Sequence, residues 1–226
     1  MGRVSARSWD RKLLAWCILV GALIGLAFVS AAAAPDEDSN RLDAIYTYEF
    51  GIGGLVLYGI LLGVVLLIAA GIPWREAFAL RRPTSWKTAA GLTVGILVAV
   101  FVVGGILEAI FHAGEEQGLD PTGWRSDRVG AFALSALAIG VVGPIVEELM
   151  YRGLGYFLLL RFGNWTAILV TGITFAAAHG LLVGLPVFFV IGAGLAFLRY
   201  RTASIVPSML VHMAFNSIQL VVGAAG

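Results

Sequence analysis

The chain has 226 residues, 59% of them hydrophobic and 13% charged, with a formal net charge of +1 and a mean hydropathy of +0.91. A soluble domain carries roughly a quarter charged residues, so a water-soluble globule is excluded and lipid is the solvent to reason with. Cys17 is the one cysteine, which rules out an intrachain disulfide and a thiolate metal cluster.

Uncharged runs long enough to cross a ~30 Å hydrocarbon core predict helices at about Leu13–Ala34, Phe50–Ile72, Trp86–His112, Gly130–Phe162 with a break inside, Trp165–Leu182, Leu185–Leu198 and Ile205–Val222. The expected fold is all-α, a polytopic transmembrane helix bundle of about seven spans. A basic start, an apolar stretch and Ala31–Ala34 also fit a cleaved signal peptide, which would leave six. Arg3, Arg7, Arg11 and Lys12 precede the first run, Arg75, Arg81, Arg82 and Lys87 follow the second, Arg161 the fourth, and Arg199 and Arg201 the sixth. Asp36, Glu37, Asp38, Asp43, Glu49, Glu115, Glu116, Asp120 and Asp127 fill the opposite loops, against Arg41, Arg125 and Arg128. The positive-inside rule then puts the N-terminus in the cytoplasm and the C-terminus outside; a multi-pass protein of a bacterial-type plasma membrane is expected. Arg75 to Arg82, around Phe78 and Leu80, reads either as a segment lying on the inner leaflet or as an ordinary basic loop.

An ionisable side chain within a span costs roughly 2.5–3.5 kcal/mol on the most lenient scale, so each one requires a reason. Few are present: Glu147, Glu148 and Arg152 in the fourth run, His179 in the fifth and His212 in the last, with Asn216 one turn beyond. Glu108 and His112 end the third run beside a polar loop and need no special account. Four residues apart on a helix, Glu148 and Arg152 share a face and can neutralise each other. Glu147 is left on a neighbouring face as the candidate base. Phe175 with His179, and His212 with Asn216, have the same spacing. These faces meet only if the fourth run is one long helix, bent at Gly143-Pro144 and continuing to Phe162; a helix ending at Arg152 would leave Glu147 and His179 at opposite depths.

Glu147-Glu148-Leu149-Met150-Tyr151-Arg152, Phe175-Ala-Ala-Ala-His179 and His212-Met-Ala-Phe-Asn216 resemble, in order, the EExxxR, FxxxH and HxxxN motifs of the CPBP intramembrane proteases. That family includes the type II CAAX prenyl endopeptidases and the bacterial Abi proteins. The resemblance covers about Gly130 to the C-terminus and implies a catalytic core at 126–226, preceded by a variable transmembrane region of three helices at 1–125. It implies an intramembrane endopeptidase acting on membrane-associated, in some members prenylated, substrates. Glu147 and His179 would activate water, and His212 and Asn216 would stabilise the oxyanion. Glu148, Arg152 and Phe175 would support them. Family members are also called metalloproteases, which would make Glu147, His179 and His212 the ligands of a zinc; a metal-free glutamate mechanism is the alternative. The expected partners are membrane lipids and a membrane-associated peptide or protein substrate, with no nucleic acid. Two other classes stay open, a non-catalytic scaffold or bacteriocin-immunity protein and a proton-coupled transporter. The transporter reading lacks the repeated halves such a protein tends to show.

Overall fold

The computed structural model describes residues 6–33, 44–113 and 123–225. Arg3, Asp36, Glu37, Asp38, Arg41, Asp43, Glu115, Glu116 and Asp120 lie outside them, as does residue 34 of the expected signal segment. The described residues form helices α1 (Ala6–Ala32), α2 (Tyr48–Ala69), α3 (Trp86–Phe111), α4 (Ser126–Phe162), α5 (Asn164–Ala177), α6 (Leu185–Thr202) and α7 (Val206–Ala225). Six are long and apolar enough to cross a membrane, α5 being the exception. The chain is a multi-pass integral membrane protein.

Local chemistry sets the helix ends. Thr47 and Ser85 accept hydrogen bonds from Phe50 N and Thr88 N and so cap α2 and α3, satisfying N–H groups that the first turn leaves without partners. α3 closes on His112 in the left-handed conformation. α5 is shorter than the expected Trp165–Leu182. It stops at Ala177, and Gly180 follows at φ +69°, where a Cβ would lie 2.9 Å from the Ala27 carbonyl oxygen of α1. That close approach ends the helix and turns His179 into the bundle.

α4 is continuous over 37 residues, the condition on which closure of the site depended. Two π-helical stretches, Leu137–Val142 and Leu149–Gly155, interrupt its regular winding and flank the α-helical Gly143–Glu148. Wide π turns disturb the regular backbone ladder, and side chains from other helices bond to their carbonyls. Asn216 Nδ2 donates to Ile139 O at 3.2 Å, Trp16 Nε1 to Met150 O at 3.0 Å and Arg199 Nε to Arg152 O at 2.8 Å. Glycines admit the partners: a Cβ at Gly155 would lie 2.5 Å from the Trp16 ring, and one at Gly153 2.7 Å from Phe78. α1 is therefore packed into the bundle, with Trp16 only 1% exposed.

The basic ends converge as the charge pattern indicated. Lys12 Nζ donates to Ile68 O and Ala70 O at the end of α2, Asp10 pairs with Arg161, and Arg81 Nε donates to Ala203 O beyond α6. Neither sequence reading of the 75–82 segment allowed for Phe78, which is not at a lipid surface but 1% exposed against Gly153, while Trp74 and Leu80 face outward. Since Phe78 and Arg199 both reach the Arg152–Gly153 level, α4 runs on past the basic end of α6. Glu147 lies five residues, about 7 Å, inward of that level.

α5 and α6 cross closely at Gly172, where a Cβ would sit 2.9 Å from the Ala193 backbone nitrogen. Backbone cannot yield as a side chain can, so Gly172→Ala should destabilise the fold by about 1–3 kcal/mol. The check is a lower midpoint in denaturant titration of the detergent-solubilised protein; an unchanged midpoint contradicts the packing.

Candidate active site

Glu148 and Arg152 form the centre. Arg152 Nη1 donates to Glu148 Oε1 at 2.7 Å, with both side chains fully buried. Two buried charges persist only when paired and hydrogen-bonded, and the neighbouring helices supply further contacts. Arg152 Nη2 donates to Gly192 O of α6 at 2.9 Å. The Phe175 ring of α5 lies 4.3 Å beneath the guanidinium carbon, close enough for a cation–π attraction. His212 Nδ1 of α7 lies 3.1 Å from Glu148 Oε1. This one ion pair thus joins α4, α5, α6 and α7.

The geometry of His212 follows from that contact. A carboxylate accepts only, so Nδ1 carries the hydrogen and Nε2 is turned toward Glu147, 3.7 Å from its Oε2. Glu147 is the more open carboxylate, its side chain 18% exposed against 0% for Glu148. Its other oxygen accepts the Tyr58 hydroxyl of α2 at 3.0 Å.

His179 is held from both sides. Its Nδ1 lies 2.8 Å from the Phe175 carbonyl oxygen, so Nδ1 is the donor and Nε2 keeps a free lone pair. Phe188 stacks on its ring at 4.1 Å between centroids. No hydrogen bond or ion pair links His179 to Glu147 among the described residues. Asn216 is not bonded to His212; one of its N–H groups goes to Ile139 O, and the second and Oδ1 remain available.

Every residue singled out from the sequence therefore reaches one region, and the structure adds four that sequence reasoning missed. Tyr58, Gly192, Phe188 and Arg199 each touch the site or its frame. Tyr58 alone had a readable signal, a phenol amid the apolar α2. The others act through a backbone carbonyl, a ring face and a guanidinium at a span end, none of which a motif displays.

Among the described residues, no three His, Cys, Asp or Glu side chains are grouped so as to hold a metal ion. The donor types would suit zinc, and each histidine has its Nδ1 hydrogen fixed as ligand histidines do, but the positions do not fit one. No step below is routed through a metal. Between α3 and α7 lies an apolar, half-open groove of about 290 Å³ lined by Leu97, Phe101, Val211, Ala214 and Phe215 among others, with none of the site residues in its lining.

A bundle with a buried acid–arginine–histidine cluster among its spans defines a membrane-embedded protein with a polar site inside it. Residues 129–218 match the family model described as type II CAAX prenyl endopeptidase Rce1-like. A Bacillus subtilis (strain 168) protein named "Putative membrane peptidase YdiL" is 27% identical over 195 residues, covering 82% of this chain and 75% of its own. No solved structure matches. Both likenesses point to a membrane protease of the kind that the three motifs resemble.

Removing Arg152 would leave Glu148 buried without its main counter-charge. Arg152→Met should therefore cost about 3–5 kcal/mol, seen as loss of monodisperse protein after extraction, and the double variant Glu148→Gln/Arg152→Met should recover part of it. No recovery in the double variant would contradict the assigned pair.

Proposed function

We propose that the protein hydrolyses peptide bonds of membrane-associated substrates at the Glu147–His179–His212–Asn216 site. The observation that carries this reading is the division between two adjacent carboxylates. Glu148 is sealed and neutralised by Arg152, whereas Glu147 is partly open, held by a hydroxyl, and faced by a histidine nitrogen. A purely structural network has no use for the second carboxylate.

In the proposed reaction a water lies in the gap between Glu147 and His179. Glu147 Oε2 takes its proton as the oxygen adds to the scissile carbonyl carbon. His179 Nε2 accepts the second hydrogen bond of the water and orients it. The tetrahedral oxyanion receives hydrogen bonds from the free Asn216 N–H and from His212 Nε2–H, with His212 doubly protonated and its Nδ1–H on Glu148. Such donors are worth a few kcal/mol when preorganised in a dry site. Glu147 then returns its proton to the departing amine as the C–N bond breaks.

Purified protein in detergent should cleave a quenched-fluorescent peptide ending in a farnesylated cysteine, or an unlipidated transmembrane peptide, and comparing the two identifies the preferred class. Glu147→Ala and His179→Ala should each lower the rate by at least about 10³-fold. A strong chelator should leave it within twofold. Full activity in either variant contradicts the site, and a chelator-induced loss restored by zinc would assign the water to a metal.

A further inference from the structure

We infer that Tyr58 is a positioning residue for this hydrolysis, its hydroxyl fixing the Glu147 carboxylate so that Oε2 is the oxygen presented to water. The inference rests on the hydrolase reading and goes beyond the family match, which begins at residue 129 and leaves α2 outside. The Tyr58 hydroxyl donates to Glu147 Oε1 at 3.0 Å, while Oε2 faces His212 Nε2 at 3.7 Å. The two carboxylate oxygens are thus distinguished by contacts from two helices.

The need for such a tether follows from the freedom of the Glu147 side chain. Three rotatable bonds would otherwise let either carboxylate oxygen face the water. Hydrogen bonds to charged groups are among the stronger ones, and the phenol holds Glu147 toward α2.

The backbone of α4 is cut to fit this contact. Gly143 lies one turn before Glu147, and a Cβ there would fall 2.6 Å from Tyr58 Cζ and 2.7 Å from its hydroxyl oxygen. Any other residue at 143 would push the phenol off the carboxylate. Tyr151 offers a second phenol near Glu147, but its buried hydroxyl makes no hydrogen bond, so the positioning contact belongs to Tyr58.

The test is steady-state cleavage of the same quenched-fluorescent peptide by full-length Tyr58→Phe, which keeps the ring and removes only the hydroxyl. Expected are a ten- to hundredfold fall in kcat, KM within twofold of wild type and an unchanged unfolding midpoint. A merely structural hydrogen bond would instead lower the midpoint and leave kcat of the folded fraction intact, which overturns the assignment, as does a rise in KM alone. Glu147→Ala assayed alongside separates the two levels. If Glu147→Ala is inactive and Tyr58→Phe turns over at the wild-type rate, only the role of Tyr58 fails; if Glu147→Ala retains activity, the hydrolase site itself fails.

Discussion

A fully buried ion pair governs the rest of this structure. Glu148 and Arg152 sit where water does not reach, and neither charge could remain there alone. Arg152 therefore takes a backbone carbonyl from α6 and a ring face from α5, and Glu148 takes an imidazole from α7. Because these satisfying groups come from different helices, desolvation of one pair becomes a constraint on how the helices are placed. The reactive groups follow from it. His179 descends from the carbonyl of the same Phe175 that supports Arg152, and His212 is aimed at Glu147 by its bond to Glu148.

The two π stretches of α4 are the second device. They bracket the segment ending in Glu147-Glu148, and the carbonyls within them draw Asn216, Trp16 and Arg199 inward from three other helices. Irregular backbone inside a membrane is tolerated only when protein groups satisfy it. Here that requirement binds the first helix, outside the matched family segment, to the same helix that carries the acids. Large cross-helix side chains facing glycines make the contacts close enough to bond.

Much of this was legible from the sequence because membrane burial makes polar residues conspicuous. The helix ranges, the shared side of the basic ends and the Glu148–Arg152 pair followed from apolar run length, charge placement and four-residue spacing. The continuous α4 was deducible from depth. What escaped were features without a side-chain signal. The π stretches are a tertiary compromise, the Gly180 turn that shortens α5 depends on Ala27 of another helix, and Gly192 acts through its carbonyl. The contact of Asn216 with Ile139 likewise depends on a π carbonyl that no motif displays.

The central claim is that two adjacent glutamates have separate duties, Glu148 holding the bundle and Glu147 carrying out chemistry. The most direct test measures unfolding midpoint and peptide hydrolysis together for Glu147→Gln and Glu148→Gln in one detergent. The structure predicts a wild-type midpoint with abolished hydrolysis for Glu147→Gln, and a clearly lowered midpoint for Glu148→Gln. Retained hydrolysis in Glu147→Gln, or a wild-type midpoint in Glu148→Gln, would contradict it.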